Sequence, residues 1–520
     1  MQTICTLDVG TSSIRGTLYT LNGKELVSES HGYSPNFYKD GRVRQSTEDW
    51  DGGIRHVLSA CGEYAVSNNA EVLAIAVTSQ RASVVPVDRA GKALDEVFMW
   101  QDKTTSRQCG LIQKDVSAED VYRITGLRID PYFSAPKILW YRDHKPDVYA
   151  AAHKFLGVQD YVAFVLTGRF VSDYSQACRT MLLDVSSREW SRRMLDASFV
   201  DRDRLPELTS PGTIIGNLSS GLAEETSLPG KTPVILAGGD QQVAALGMGV
   251  LEAGSVEANT GTGSFLITPV PEPLFHPESR TLCSIAAIPG QWVVEAGVLT
   301  TGILYSWFAG EFGESGRQNE QADILRVNQL VRESPPGAHG VIVLPHFKGS
   351  AAPFWNPLAK GTIFNLTLAN SKADIARALL ESLVLEMGAG LKRMREIIPA
   401  ELTEICVAGG LTRFELFNQM QADIFETTVR IPPSSEASSR GALISALVSL
   451  GVQESYQKAF DSVRDGEDRY IHPNSSRFDI YRKAALLREA LYNALNTGDV
   501  YAAAEDFSKE ASAVKEDGKC

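Results

Sequence analysis

Residues 7–15 read LDVGTSSIR, an order that a plain turn does not require. An apolar run reaches Asp8, Val9 and a glycine follow, and Thr11, Ser12 and a further serine come just before Ile14 and Arg15. Backbone N–H groups in a glycine-containing turn can cradle an anion, and Mg²⁺ prefers oxygen ligands while keeping several waters. The stretch therefore predicts a site for a phosphate and its metal ion. A hairpin with polar turn residues is the plainer alternative.

A second glycine-rich turn lies near the middle of the chain, where residues 259–264 read NTGTGS and include Thr262. Glycines there permit close approach of the backbone to an anion. An ordinary glycine-rich turn would have the same composition. Two such turns in separate halves of the chain favour a triphosphate site more strongly than one turn would, because each turn could hold one end of the triphosphate.

Two further strand ends carry residues that could take part in catalysis or ligand binding. Asp240 lies in GGDQQ (238–242), where it could act as general base on a substrate hydroxyl or, equally, as a helix N-cap. Gly409 and Gly410 follow an apolar run, so that a flat ring such as adenine could lie on the backbone; an ordinary strand–helix turn is the alternative. A polar sugar pocket could be lined by the segments Ser79-Gln80-Arg81 and Trp100-Gln101-Asp102 and by Tyr132.

The elements around these residues alternate between strands and helices. We expect strands in the following segments: 3–10, 13–23 and 24–30, the last two joined by a turn at Asn22-Gly23, then 72–80, the start of 231–250, both arms of 255–270, and the start of 401–425. Helices are expected over 134–168, over 373–396 and at the ends of the segments 231–250 and 401–425. This alternation predicts an α/β protein. The best boundary lies near 246–254, so that two similar domains, each opening with a phosphate-type turn, would face each other across a cleft.

The composition of the chain limits the kinds of partner that it is expected to bind. The chain has 520 residues, 43% of them hydrophobic and 22% charged, and a net charge of −13, which makes nucleic acid a poor main partner. Its seven cysteines are scattered and form no Cys-x-x-Cys, as expected of reduced thiols in a cytoplasm. The N-terminus has no signal-peptide pattern, and no apolar run is long enough to span a membrane. We therefore expect a cytoplasmic protein.

Taken in order, these segments resemble the FGGY carbohydrate kinases, which belong to the superfamily of actin and hexokinase. Residues 132–140 (YFSAPKILW) are similar to the first family signature, and residues 360–366 with 378–381 are similar to the second. Asn365 stands where the family usually has glycine. The resemblance covers residues 1 to about 480. It implies two ribonuclease-H-like domains, 1–250 on the substrate side and 251–480 on the nucleotide side, followed by a C-terminal helix and polar tail over 481–520.

The resemblance also implies roles for individual residues. Asp240 would be the catalytic base, and Asp8 would be the carboxylate associated with Mg²⁺. Substrate would contact Arg81, Tyr132, Asp240 and Gln241. ATP would contact the two phosphate turns and the adenine site, through Thr11, Ser12, Arg15, Thr262, Gly302, Gly409 and Gly410. Ser306 and Phe414 occupy positions that make polar contacts in glycerol kinases, so the binding of adenine would differ in detail.

The implied reaction is transfer of the γ-phosphoryl group of ATP to a hydroxyl of a small sugar or polyol. Glycerol kinases bind glycerol through an Arg-Glu pair. In this sequence Ala82 follows Arg81, at the position where the Glu would be. Loss of that carboxylate should weaken glycerol binding and leave room for a larger substrate. The Gln-Met-His-Gly typical of xylulose kinases is absent as well. We rank a xylulose-type ketopentose first, glycerol second and an autoinducer-2-like ligand third.

Two alternatives belong to other classes. One is a nucleotide-binding regulator that has lost transfer activity, although Asp240 and Asp8 are both retained. The other is a chaperone-like ATPase of the same superfamily, against which both signatures argue. Expected partners are a sugar or polyol, with no nucleic acid and no membrane. A homodimer is allowed for, since the sequence does not determine the oligomeric state.

Overall fold

The structure is a computed structural model, and it describes residues 1–261, 263–278, 280–315, 318–433 and 436–514. Its first half contains the strands β1 (Gln2–Val9), β2 (Ser13–Thr20), β3 (Glu25–Gly32), β4 (Asn36–Phe37), β5 (Val43–Gln45), β6 (Glu71–Ser79), β7 (Val85–Val87), β8 (Val97–Phe98), β9 (Lys154–Leu156), β10 (Val171–Asp173), β11 (Leu183–Asp184), β12 (Glu189–Trp190), β13 (Glu207–Thr209), β14 (Thr213–Asn217) and β15 (Pro233–Gly239). The helices of this half are α1 (Thr47–Ser67), α2 (Ser106–Asp115), α3 (Ala118–Thr125), α4 (Ser134–His144), α5 (Pro146–Ala151), α6 (Val158–Thr167), α7 (Tyr174–Ala177), α8 (Arg192–Ser198), α9 (Ser220–Thr226) and α10 (Asp240–Gly247).

The second half contains the strands β16 (Ser255–Thr260), β17 (Ser264–Val270), β18 (Leu282–Ile285), β19 (Trp292–Val298), β20 (Ile342–Leu344), β21 (Thr362–Phe364), β22 (Glu404–Gly409), β23 (Thr428–Ile431) and β24 (Arg469–Ile471). Its helices are α11 (Gly302–Phe312), α12 (Glu320–Glu333), α13 (Lys372–Ile397), α14 (Glu415–Phe425), α15 (Ala437–Ser449), α16 (Tyr456–Val463), α17 (Phe478–Thr497) and α18 (Val500–Val514).

Each half is built on one large sheet, and the two sheets repeat one pattern. The first has the order β14-β15-β6-β1-β2-β3, and the second has the order β18-β19-β17-β16-β22-β23-β24. In the first sheet, β1 pairs antiparallel with β2 and parallel with β6. In the second sheet, β16 pairs in the same way, antiparallel with β17 and parallel with β22. The phosphate-type turns follow β1 and β16. The repeated order therefore places the two turns at equivalent points of the two sheets.

The strand predictions for the sheets are confirmed in outline, and the turn at Asn22-Gly23 is present, with Gly23 at φ 82°. The single helix expected over 134–168 is wrong. Helix α4 ends at His144 because Lys145 precedes a proline, which disfavours helical backbone. The strand β9 then pairs with β7 before α6 begins.

Helices α10 and α15 pack against each other so closely that two glycines are required. A Cβ on Gly247 would lie 1.9 Å from the carbonyl oxygen of Ala437, and a Cβ on Gly441 would lie 1.9 Å from that of Val243. Helix α15 belongs to the second half by sequence but also packs on β1, β6 and β15 of the first sheet. This helix pair therefore joins the two halves. Since the first sheet ends at Gly239 and the second begins at Ser255, we propose to keep the domain boundary near residue 250.

The second family-like signature contains one left-handed residue. Asn365 has φ 66°, a conformation that favours glycine and that Asn adopts more readily than most other residues. Its side-chain amide donates to the carbonyl oxygen of Gly340 at 3.0 Å. The departure from glycine at this position is therefore accommodated. Within the described residues, no helix combines the length and the apolar character needed to cross a membrane.

Candidate functional site

A cavity of about 180 Å³ lies between the two halves, and both contribute to its wall. It is lined by Thr11, Gln80, Arg81, Trp100, Tyr132, Asp240, Gln241, Asn259, Gly261, Gly263 and Phe265. Five residues to which the family resemblance assigns a role are thus brought together, Thr11, Arg81, Tyr132, Asp240 and Gln241, along with Gln80 and Trp100 of the predicted sugar pocket. We call this the outer cavity.

Asp240 is the first residue of α10, directly after the buried strand β15. The N-cap position belongs to Gly239, so the N-cap alternative for Asp240 is wrong. One carboxylate oxygen, Oδ1, accepts the backbone N–H of Gln241 at 2.8 Å and lies 3.4 Å from Nε of Arg81. Burial raises the pKa of Asp240, while Arg81 offsets part of that rise. A carboxylate with a raised pKa that faces a cavity suits a general base.

Tyr132 reaches the outer cavity from a loop that a buried lysine holds in place. The Lys137 ammonium donates to the carbonyl oxygens of Pro131 at 2.7 Å and Phe133 at 3.0 Å, and also to that of Tyr132. Burial lowers the pKa of Lys137 to about 7. The Tyr132 ring lies 5.4 Å from the ring of Trp100. Lys137 of the first signature thus positions the loop that carries Tyr132.

The first phosphate-type turn is a tight hairpin held from three sides. Gly10 N–H donates to the carbonyl oxygen of Ser13 at 2.9 Å, and the Tyr33 hydroxyl donates to the carbonyl oxygen of Gly10 at 2.7 Å. The indole N–H of Trp100 donates to the Thr11 hydroxyl at 3.1 Å. Thr11 therefore links the turn to the wall of the outer cavity, while Ser12 is exposed beside it.

Asp8 and Asp240 lie close enough to influence each other. Burial and the charge of Asp240 together raise the pKa of Asp8 to about 7, and Arg15 offsets part of this rise. The described residues contain no cluster of three or more His, Cys, Asp or Glu side chains arranged around a metal ion. Two neighbouring carboxylates beside a phosphate-type turn fit Mg²⁺, which usually takes one or two carboxylates and completes its shell with phosphate oxygens and water.

Arg15 lines neither the outer cavity nor the cavity beside the second phosphate-type turn. Its guanidinium forms an ion pair with Glu436, just before α15, and donates to the Ser30 hydroxyl at 3.2 Å. Its predicted contact with the nucleotide stays a prediction.

The second phosphate-type turn joins β16 to β17. Gly261 N–H donates to the carbonyl oxygen of Gly263 at 2.8 Å, and Gly302 N–H donates to that of Gly261 at 3.0 Å. The turn is therefore tied to the start of α11. Thr262, which was predicted to contact phosphate, lies outside the described residues.

A larger cavity of about 880 Å³ lies beside this second turn. Its wall consists of Thr260, Gly261, Gly302, Ile303, Tyr305, Ser306, Glu320, Gln321, Ile324, Leu325, Asn328, Gly410, Leu411, Arg413 and Phe414. The two cavities share Gly261, so a bound chain of phosphates could pass from one to the other. We call this the nucleotide cavity.

The two glycines predicted to contact adenine differ in role. Gly410 lines the nucleotide cavity, and a Cβ there would meet nothing within 4 Å. Gly409 has φ 103°, and a Cβ there would lie 2.0 Å from the carbonyl oxygen of Thr260. Gly409 is thus required by the close approach of β22 to β16, and it does not line the cavity.

A third cavity of about 80 Å³ adjoins the outer cavity, with which it shares Trp100, Tyr132, Gly263 and Phe265. Its deeper wall includes Phe133, Arg179, Leu282, Glu295, Ala351 and Trp355. We call this the inner cavity. Sequence reasoning missed Arg179 and Glu295; the only signal was a charged residue inside each of two otherwise apolar segments. Ala82 is buried and is not among the residues that line either cavity, so its small size does not itself enlarge them.

The charges around the outer and inner cavities are balanced. Three cations and three carboxylates line them, in the pairs Arg81–Asp240 at 3.4 Å, Arg179–Glu295 at 3.2 Å and Lys103–Asp130 at 2.6 Å. Each cation therefore has a carboxylate partner. This balance favours a neutral polyhydroxylated ligand over a strongly anionic one.

Comparisons of the sequence with known proteins identify carbohydrate kinases. Residues 3–247 match the model of the N-terminal domain of the FGGY family of carbohydrate kinases, and residues 256–450 match that of its C-terminal domain. A gluconokinase of Bacillus subtilis is 27% identical over 465 residues, covering 88% of this chain and 89% of the relative. A glycerol kinase of Natranaerobius thermophilus is 30% identical over 468 residues, covering 87% and 91%.

Solved structures agree on the fold. A gluconate kinase from Lactobacillus acidophilus superposes with a TM-score of 0.88 at 23% identity, covering 95% of this chain and 98% of that one. A xylulose kinase from the same organism also gives 0.88 at 23% identity, covering 95% and 99%. The predicted pair of ribonuclease-H-like domains facing across a cleft is confirmed. With both of its domains matched, the chain belongs to the FGGY family of carbohydrate kinases.

Proposed function

We propose that this ATP-dependent carbohydrate kinase phosphorylates a neutral ketopentose of the xylulose type. The observation that carries the proposal is the Asp240–Arg81 pair at 3.4 Å, set in an outer cavity that an inner cavity extends. The combined space suits a substrate longer than glycerol. The balanced charges favour a ketose over an aldonate, although gluconokinases are among the relatives.

In the proposed reaction, Asp240 accepts the proton of the substrate hydroxyl while the hydroxyl oxygen attacks the γ-phosphorus of ATP. The bond between the γ-phosphorus and the β,γ-bridging oxygen breaks, and ADP leaves. Arg81 orients Asp240 and offers further N–H donors to the substrate. Tyr132 and Trp100 cover the sugar and help to exclude water, which limits wasteful hydrolysis of ATP.

The triphosphate would lie along Thr11, Ser12 and the turn around Gly261, with adenine beside Gly410. Asp8 would hold Mg²⁺, which neutralises charge on the phosphates when it is bound. The backbone N–H groups of both turns stay fixed and need no reorganisation during transfer, which is the main source of electrostatic catalysis.

Glycerol is the second candidate, because Arg81, Trp100, Tyr132 and Asp240 are all in the outer cavity. An autoinducer-2-like ligand remains third. We also keep a cytoplasmic location and a homodimer as proposals; the former is supported by Cys5, Cys61, Cys109, Cys178, Cys283 and Cys406, which are all free and buried.

The test is ADP release by the purified protein with ATP and Mg²⁺ against xylulose, ribulose, glycerol, erythritol, arabitol, gluconate and an autoinducer-2 precursor. The strongest kcat/KM with xylulose or ribulose supports the proposal. A stronger response to glycerol or gluconate replaces the substrate, and ATP binding without turnover of any compound favours the regulator alternative.

A further inference from the structure

Arg81 has a carboxylate partner that its neighbours in sequence do not supply. Glu295, on β19 of the second half, lies with Oε2 at 3.5 Å from Nη1 of Arg81. Both of its oxygens lie 3.2 Å from Nη1 of Arg179, which belongs to the first half. A carboxylate thus stands beside Arg81 although Ala82 carries none.

Glu295 is ionised in this setting. Burial would raise its pKa, but Arg179 and Arg81 outweigh that effect together and hold the pKa of Glu295 below its ordinary value. The Ser284 hydroxyl lies 2.9 Å from Nη1 of Arg179 and completes the group. The Arg179–Glu295 pair is therefore a fixed, charged element in the wall of the inner cavity.

Part of the Arg179 guanidinium in this pair makes no hydrogen bond within the described chain. Among the described residues, Nε of Arg179 has no hydrogen-bond partner, and the hydrogen bonds of its guanidinium all come from Nη1, so the Nε–Nη2 edge is not used by Glu295 or Ser284. A buried donor without an acceptor is costly, so such atoms usually meet a ligand or an ordered water. Arg179 lines the inner cavity together with the aromatic residues Phe133 and Trp355, whose faces suit the C–H surface of a sugar.

We propose that Arg179, held by Glu295, binds an oxygen at the end of the substrate far from the phosphorylated hydroxyl. This inference rests on the proposed function and deepens it. Asp240 marks the reacting end in the outer cavity, and Arg179 marks the distal end in the inner cavity. The substrate class is then a polyhydroxylated chain of more than three carbons that carries a hydroxyl or carbonyl oxygen at its distal end.

The experiment measures binding and turnover separately. Calorimetry gives the Kd of glycerol, erythritol, xylitol and xylulose for the wild type and for Arg179→Lys, which keeps a positive charge beside Glu295 but removes the Nε–Nη2 edge of the guanidinium. In the wild type we expect affinity to rise with chain length. In Arg179→Lys we expect the preference for xylitol over glycerol to fall by about tenfold or more, the usual effect of one lost hydrogen bond to a charged group.

Two further variants separate this role from a structural one. Arg377→Lys alters another buried Arg–Glu pair, Arg377–Glu381, away from both cavities, and should leave the preference for chain length unchanged even where it lowers Tm. Ala351→Val fills the inner cavity without touching a charge, and should reduce the same preference. It serves as the test if Arg179→Lys does not fold.

The outcomes are distinguishable from those of the proposed function. A wild type that binds xylitol no more tightly than glycerol overturns the inference, whatever it phosphorylates. Equal losses for every chain length in Arg179→Lys would also overturn it, since they would indicate a general structural effect. Tight, length-dependent binding without ADP release would uphold the inference and contradict the kinase proposal for these substrates.

Discussion

Nε of Arg81 lies 3.4 Å from Oδ1 of Asp240, and the two residues come from different strand ends of the first sheet. Arg81 follows β6 and Asp240 follows β15, which are parallel neighbours in that sheet. Because parallel strands bring their carboxyl ends to one edge, a cation and a base 159 positions apart in the chain meet at the cleft.

Asp240→Asn removes the proposed base while keeping the shape of the side chain. We expect turnover to fall by about 10²–10⁴-fold with little change in Tm or in ATP binding. ADP release in steady state measures the effect. Asp479→Asn is the matched control, since Asp479 also lies in the first turn of a helix but is exposed. A near-normal rate for Asp240→Asn would contradict the assignment.

Lys137→Met removes the ammonium that holds the carbonyl oxygens of residues 131–133. We expect the Tyr132 loop to loosen, so that KM for the sugar rises by about tenfold while KM for ATP changes much less. Initial rates with each substrate varied in turn separate the two effects. Lys114→Met, at an exposed position on α2, is the control. Equal rises in both KM values would indicate a general disturbance instead.

The neighbouring glycines Gly409 and Gly410 should respond differently to alanine. Gly409→Ala should lower Tm, because φ is 103° and the new Cβ would overlap the carbonyl oxygen of Thr260. Gly410→Ala should keep Tm and raise KM for ATP, because its Cβ would project into the nucleotide cavity. Thermal unfolding and ATP titration of the two variants are the measurements. A loss of Tm in Gly410→Ala alone would reverse the two roles.

Glu257→Gln should stabilise the fold at neutral pH. Glu257 is fully buried on β16, and within the described chain neither carboxylate oxygen has a hydrogen-bond partner of good geometry, although the Asn259 side chain lies close enough to lower its pKa slightly. Burial raises the pKa of Glu257 well above its ordinary value, and the charge of Arg81 offsets only part of this. The folded protein thus holds the proton more tightly than the unfolded chain, so stability falls as pH rises from about 4.5, where Glu titrates in the unfolded chain.

Removal of that carboxyl should raise the free energy of unfolding near pH 7.5 by about 1–3 kcal/mol, and the gain should shrink towards pH 4. Urea unfolding at both pH values measures it. Glu252→Gln, at an exposed position just before β16, should change neither value. A gain that does not depend on pH would mean that the charge of Glu257 is not the cause.

Much of the site could be predicted from the sequence because its parts are local. A glycine turn after an apolar strand, as around Thr11, and an Asp at the start of a helix, as at Asp240, are determined by a few consecutive residues. Strand alternation and the signatures were enough for the fold class. The single helix expected over 134–168 was wrong for two reasons. Pro146 ends helix α4, a signal that the sequence does contain. The pairing of β9 with β7, 67 positions earlier at the paired residues Lys154 and Val87, is not a local property.

Only the tertiary structure decided which charged residues meet. Nothing around Arg81 in the sequence points to Glu295 or Arg179, since their pairing depends on how the second sheet packs against the first half. The same packing distinguishes Gly410, which faces a cavity, from Gly409, which faces a backbone oxygen, and it directs Arg15 to Glu436. Residue types and local turns thus determined the class of reaction, while contacts between distant strands shaped the cavity that we propose as the substrate site.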